Sequence, residues 1–334
     1  MHFSTRVKKR NLVDRNVCKY ENKNGQKVFQ KRRNTENKQT VSEKNSTAGE
    51  QIMDIHWKQE HTGDMEVRQR DGVTYLSYPR LERESAIVHG FSTRLGGVSE
   101  GYLGSMNLSF SRGDNPENVM ENYRRISKAI GFSVESIVTS DQTHTTNVRQ
   151  VGKEDCGCGV LIPRTFHDID GLITNEPGVT LATFYADCVP LYFYDPTHKA
   201  IGLSHSGWRG TVGNIAKATV EAMQKAYHTA PEDLIAAIGP SICQDCYEVS
   251  EDVIEKFRQA YPETIHTKLF YRKPNGKYQL NLWEACHQNF LTSGIREENI
   301  LTPNLCTCCN PDFLYSHRAS HGKRGNLAAF LGLR

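Results

Sequence analysis

The chain lacks any apolar run long enough to cross a bilayer, and the basic residues at its start are not followed by an apolar h-region. No membrane span or secretory leader is expected, and the chain reads as cytoplasmic. It also lacks internal repeats, and its 10 cysteines in 334 residues are too sparse for a small secreted disulfide scaffold. Several of them sit inside apolar runs, so reduced thiols are expected. What the first fifty residues lack is a sustained apolar period. There 13 Lys and Arg stand against 5 Asp and Glu (+8), while the remainder holds 28 against 33 (−5). Residues 1–60 are accordingly expected to be a basic, flexible tail, since such a composition buries too little to offset the entropy of ordering. The acidic body argues against a specific nucleic-acid partner, because the tail alone offers only sequence-independent attraction to phosphates.

What is present is a body, residues 70–334, large enough for one catalytic domain. Val73–Tyr78 and Ala86–Thr93 read as strands from their β-branched and aromatic content. Asn115 and Pro116 open a helix whose Val119, Tyr123, Ile126 and Ile130 share a face, and Gly131 ends it. Val179–Tyr185, Val189–Tyr194 and Ala200–Ser204 are near-continuous apolar runs, the pattern of strands buried on both faces. A single helix is expected from about Gly210 to Tyr227. The alternation predicts a mixed α/β fold, with antiparallel pairs because several connections are too short for a crossover helix.

Chemistry concentrates between Ala186 and Gly210. Cys188 precedes one apolar run and His205 ends the next, so a thiolate and an imidazole can meet across neighbouring strands. The pair is either part of a metal site or a nucleophile with its base. His144, in D-Q-T-H, adds a third donor, and two histidines with one thiolate and an open fourth position make a catalytic zinc site. A Cys-His dyad has no need of His144.

Several segments occur together in a fixed order: H-G-F-S-T-R-L-G-G-V-S (His89–Ser99), S-M-N-L (Ser105–Leu108), D-Q-T-H-T-T-N-V (Asp141–Val148), D-G-L-I-T (Asp170–Thr174), A-D-C-V-P, S-H-S-G-W-R-G and I-G-P-S-I (Ile238–Ile242). In this the chain resembles the YfiH-like (DUF152) purine nucleoside phosphorylase family, formerly labelled polyphenol oxidase or laccase, over roughly residues 75–333. The resemblance implies a layered α/β/β/α fold with mixed sheets and zinc ligands at His144, Cys188 and His205. It also implies phosphorolysis of adenosine, inosine, guanosine and methylthioadenosine to base and ribose 1-phosphate, with adenosine deamination beside it. The partners implied are therefore purine nucleosides and phosphate; the oligomeric state stays open.

Phosphorolysis needs cationic forks near the metal. Arg94, before a Gly-Gly turn that offers an anion nest, and Arg209, before a helix, are the first candidates, with Arg318 third. Asp170 is a candidate for orienting a ligand or moving a proton, and Asp187, a strand neighbour of Cys188, is expected to point the other way. Asn107 and Trp208 are candidates for contact with sugar or base. The cysteines of C-Q-D-C (Cys243, Cys246) and C-T-C-C (Cys306, Cys308, Cys309) leave open a second, structural zinc site or small buried side chains. Two rival readings remain: a cysteine hydrolase or amidase built on Cys188 and His205, and a copper-dependent polyphenol oxidase. Copper outbinds zinc at most such ligand sets, but none of the 13 histidines forms the H-x-H pair expected of a multicopper centre.

Overall fold

The computed structural model describes residues 54–58 and 65–334, together with two N-terminal strands, Val17–Glu21 and Lys27–Lys31. By their contacts the residues divide into two units, Met1–Ile55 and His56–Arg334. In the first unit the two strands pair antiparallel, Val17 opposite Lys31. Val17, Tyr20, Val28 and Phe29 supply the β-favouring residues there. Of the expected flexible tail, 1–60, these strands and residues 54–58 are described; Trp57 is buried and bridges Leu305, and Lys58 donates its amide to the Asn304 carbonyl at 2.8 Å, while the rest of that expectation falls outside the described residues.

The second unit is layered, helix on sheet on sheet on helix, as expected of the fold class. One six-stranded sheet runs in the order Ile300–Leu301, Ile235–Ile238, Val189–Asp195, Ala200–Ser206, Gly171–Thr174, Val148–Gln150. The other runs Glu66–Arg70, Val73–Ser77, Ile87–Ser92, Leu327–Leu333, Thr180–Tyr185, Ile137–Thr139. The pairs are antiparallel except three, which lie at or next to sheet edges. A small sheet of Glu248–Val249, Tyr278–Leu280 and Phe270–Arg272 lies apart from both.

The period of two decides which layer each side chain enters. In Val189–Asp195, Val189, Leu191 and Phe193 join a cluster with Ile215, Val220, Met223 and Phe290 of the helices. Tyr192 points the other way and donates its hydroxyl to the Gly90 carbonyl of the second sheet at 3.2 Å. In Ala200–Ser206, Ser204 bonds Thr219 of the covering helix at 2.7 Å, while the ring of the next residue, His205, packs 5.5 Å from that of Tyr185 in the other sheet. His205 thus sits at the open end of the seam between sheets. On the far side, Val119, Tyr123, Ile126 and Ile130 of the helix Pro116–Ile130 pack on Val88, Ala182, Ala328 and Phe330. Each large apolar side chain so buried contributes roughly 2 kcal/mol.

Helix ends follow the sequence. Asn115 accepts from the Glu117 amide at 3.0 Å, and Gly131, at φ 102°, closes the helix on Ser127. The expected single helix after Gly210 is instead two, Trp208–Val212 and Ile215–Tyr227. Asn214 breaks it: at φ 56° it turns the chain, and its side chain caps the second helix at Lys217 N, 3.0 Å away. No described helix is long and apolar enough to cross a membrane.

Candidate metal centre

The register of the central hairpin builds the site. Pro190 pairs with His205 and Val189 with Ser206, so Cys188, one residue before its strand, lies beside the turn into Gly207. His144 comes from the Asp141–Asn147 loop at the mouth of the neighbouring strands. The donor atoms of His144, Cys188 and His205 all lie within 4.8 Å of one another. His205 is buried, Cys188 half-buried and His144 exposed, which leaves the cluster open on one side.

Asp170 assembles this set. It is fully buried and accepts from the amides of Thr143 and Thr145, both at 2.9 Å, from that of His144 at 3.2 Å, and from the Thr145 hydroxyl at 3.2 Å. The same carboxylate accepts from His205 Nδ1 at 2.7 Å. One side chain therefore holds the loop that carries His144, in the left-handed region at φ 69°, and takes His205 Nδ1, which leaves Nε2 to face Cys188. Burial raises the Asp170 pKa, but the His205 bond and the loop amides outweigh it and hold the carboxyl below its ordinary value. Burial likewise pushes the Cys188 thiol up, yet the His205 imidazolium and bonds from both histidines bring it down to about 6. Against its own burial, His205 is raised to about 9 by the Cys188 thiolate and by Asp170.

Gly207 gives an independent test of fit. A Cβ there would stand 2.7 Å from His144 Cδ2, 3.3 Å from Cys188 Sγ and 3.4 Å from His144 Nε2. Only glycine leaves that cradle clear. Two imidazoles and a thiolate around it, with one side open, fit a tetrahedral ion that keeps one exchangeable position.

The triad lies in a cavity of about 360 Å³ whose walls include Phe110, Phe184, Tyr185 and three arginines, Arg112, Arg164 and Arg324. Arg164 is partly neutralised by Asp141, 3.4 Å away, and donates to the Ser140 carbonyl. Arg324 is brought down to about 10 by burial and by the nearby Arg112 guanidinium. The buried Nε atoms of Arg112 and Arg324 have no hydrogen-bond partner in the protein. Arg324 also donates through Nη1 to the Gly325 carbonyl and to Asn326 Oδ1, so the remaining donors of the two guanidinium groups are what this wall can offer an anion. Phe110, stacked on Tyr123 with centroids 5.9 Å apart, offers a half-open aromatic face.

The structure does not bring the other sequence candidates to this cavity. Arg94 donates to the carbonyls of Gly104 (2.8 and 3.0 Å) and Pro311 (2.6 Å) and stacks on Tyr315. The Gly-Gly turn after it is a packing device, because a Cβ on Gly97 would lie 2.0 Å from the Ser105 carbonyl oxygen. Its amide donates to Ser105 Oγ and that of Val98 to Asn122, so no anion nest is free. Arg209 is exposed and stacks on Trp208 at 4.4 Å, and Trp208 itself packs against the helical layer. Arg318 donates to the carbonyls of Cys246 and Glu248. Asn107 is buried, holding the backbones of Ser109 and Asn326, both in the cavity wall. Asp187 and Cys188 are not strand neighbours: both lie in the bend between Tyr185 and Val189, with Asp187 at φ 94°, where its carboxylate accepts from Thr307 and the Arg318 amide, each at 2.7 Å. Sequence reasoning missed Arg112 and Arg324. Arg112 lies just past the S-M-N-L segment, and Arg324 stands in G-K-R-G-N; neither has a spacing that ties it to the metal ligands.

A family model described as multi-copper polyphenol oxidoreductase laccase matches residues 88–334. The chain is 37% identical over 249 residues to purine nucleoside phosphorylase YlmD of Geobacillus stearothermophilus, covering 74% of this chain and 90% of the relative. It is 35% identical over 257 residues to the YlmD of Bacillus subtilis, covering 76% and 91%. Among solved structures, YlmD from G. stearothermophilus superposes with a TM-score of 0.75 at 35% identity, over 80% of this chain and 98% of that one.

Proposed function

The chain belongs to the YfiH-like (DUF152) family, homologous to purine nucleoside phosphorylases and formerly described as laccase-like, and we propose that it is a zinc-dependent purine nucleoside phosphorylase with adenosine deaminase as a second activity. The observation that carries this reading is the meeting of His144, Cys188 and His205 on the floor of a cavity walled by Arg112 and Arg324. Such a cavity offers a Lewis acid, an anion clamp and an aromatic face together, the three things a nucleoside and a phosphate need at once. Adenosine, inosine, guanosine and methylthioadenosine share the purine and ribose it would take.

When bound, zinc supplies Lewis acidity and lowers the pKa of water held against it. The chain's own residues do the rest. Arg112 and Arg324 orient the phosphate toward C1′ and offset its charge as the glycosidic bond lengthens. Phe110 presents a face to the purine. Asp170 keeps His205 in the tautomer that leaves Nε2 for the ion and holds the His144 loop.

The donor set favours zinc over the copper oxidase reading. Among the described residues the clustered His, Cys and carboxylate donors form this triad and one set of four cysteines, with no histidine-rich group for a multicopper centre. The hydrolase reading has no use for His144 or for the Gly207 cradle beside it. The test is chromatography of adenosine incubated with and without phosphate. Adenine formed only with phosphate is expected, with inosine as the deamination product; the absence of both products would overturn the proposal.

A further inference from the structure

The second cysteine set has the geometry of a metal site. Cys243 precedes and Cys246 ends the tight turn Gln244–Cys246, and Cys306 precedes and Cys309 ends another, so each C-x-x-C presents its two sulfurs from one turn. All four sulfur atoms lie within 4.8 Å of one another. Cys246 and Cys309 are 3.5 Å apart, and Cys243 and Cys309 are 3.9 Å apart. A tetrahedron of thiolates at the zinc–sulfur distance has an edge of about 3.8 Å. A disulfide would instead require sulfurs about 2 Å apart, and all four thiols are free.

The surroundings are those of thiolates. Cys306 Sγ accepts from the amides of Cys243 at 3.2 Å and Cys309 at 3.4 Å. Donors aimed at sulfur favour its anionic form. Lys58 lies close enough to interact with Cys243 and Cys309 and is held by Asp245, 2.9 Å away, between the first two cysteines. Its ammonium offsets part of the charge that four thiolates leave on a divalent ion. Cys243 and Cys306 are buried and Cys246 and Cys309 half-buried, so the cluster sits just under the surface. Cys308 is not among the four and packs against the helical layer.

The geometry points to a structural tetrathiolate site for zinc on Cys243, Cys246, Cys306 and Cys309, separate from the triad. Its position gives it a task. Thr307, between two of the ligands, donates to Asp187 Oδ1 at 2.7 Å, and Ile242, next to Cys243, donates its amide to the Asp187 carbonyl at 3.0 Å. Asp187 is held in the left-handed region at φ 94°, one residue before Cys188. An ion that clamps the two loops thereby fixes the backbone from which the Cys188 thiolate projects.

The experiment is native mass spectrometry with elemental analysis of full-length protein purified under reducing conditions with zinc. A His144→Ala/His205→Ala variant removes the triad and should still carry one zinc per chain; a zinc-free variant would overturn the proposal. Cys243→Ser and Cys309→Ser should each lose that remaining ion from the double-histidine background. Cobalt substitution adds a readout independent of how those variants fold. In the double-histidine variant, cobalt should give strong thiolate-to-metal charge-transfer absorption, and its absence would count against the site. A mass lower by two hydrogens for each cysteine pair, with no metal, would show disulfides instead and overturn it. Because the double-histidine variant has no triad, failure of the phosphorylase proposal would leave its zinc unchanged.

Discussion

Replacing Asp170 by Asn should cost the His144–Cys188–His205 site most of its affinity while touching no ligand. The carboxylate accepts from two backbone amides through Oδ2, and from His205 Nδ1 and the His144 amide through Oδ1. Asparagine keeps one acceptor oxygen and replaces the other with an NH₂ group. If the nitrogen takes the Oδ1 position, His205 must present an unprotonated Nδ1 to it, which moves the proton to Nε2 and blocks coordination. If it takes the Oδ2 position, the amides of Thr143 and Thr145 face an NH₂ group and the loop carrying His144 is pushed away. Either arrangement impairs one histidine ligand. Loss of such a supporting carboxylate lowers metal affinity about 10- to 100-fold, or roughly 1.4 to 2.7 kcal/mol. Competition with a chromophoric zinc chelator at neutral pH measures it directly. The metal-free variant should also be about 2 kcal/mol less stable in urea, since buried donors are left without acceptors. A variant that binds zinc within about two-fold of wild type and unfolds at the same urea concentration would refute the assignment of Asp170 as the residue that sets the His205 tautomer.

Three further perturbations test neighbouring statements. Gly207→Ala puts a methyl 2.7 Å from His144 Cδ2; zinc affinity should fall at least about ten-fold, and full occupancy in a chelator titration would show that the cradle is looser than the structure has it. Arg112→Met and Arg324→Met should each raise KM for phosphate about ten-fold or more with a smaller effect on KM for adenosine, whereas Arg94→Met, whose guanidinium serves loop carbonyls, should leave KM for phosphate unchanged. The same KM in the Arg112 and Arg324 variants would remove the clamp. His89 is buried and accepts from the Tyr78 amide through Nε2, and burial holds its pKa down at about 4 from 6.5. The unfolded chain therefore takes up a proton below pH 6.5 that the folded chain refuses until about 4, so stability is lost as pH falls through that window. At pH 5 the loss is about 2 kcal/mol relative to pH 8. Urea unfolding at the two values should show it, and His89→Gln, which keeps an acceptor for Tyr78, should flatten the slope; an unaltered slope would exclude His89 as its source.

The layers of this fold were legible because strand and helix periods differ. Val189, Leu191 and Phe193 alternate with Tyr192, and the helix beginning at Pro116 shows its four-residue face plainly. The strands Glu66–Arg70 and Phe270–Arg272 were not legible, since an edge strand with a mostly solvated face carries little apolar signal. At Asn214 a single residue able to enter the left-handed region split a continuous apolar period, which the period itself cannot announce.

The site divides along similar lines. Candidate metal ligands are read from residue type: His144, Cys188 and His205 are unusual donors near strand ends, and only their meeting had to come from the fold. Arginines carry no such mark, because the same guanidinium that clamps an anion also caps carbonyls. Arg94 and Arg318 stand in suggestive segments yet give their donors to main-chain oxygens away from the cavity, while Arg112 and Arg324, in unremarked loops, keep unfilled Nε donors in its wall, though Arg324 also gives Nη1 to Gly325 and Asn326. What distinguishes the two pairs is where their hydrogen bonds already go, and that is set by backbone traced through Asn107, Asn122 and Ser109, whose bonds hold the segment leading to Arg112. Asp187 shows the limit most clearly. Strand alternation was expected to turn it from Cys188, but the two lie in a bend with Asp187 at φ 94°, and its Thr307 and Ile242 bonds join that bend to the loops of the cysteine cluster. Two sets of donors far apart in sequence thus act on adjacent residues of one turn, and the coupling between them exists only in the folded chain.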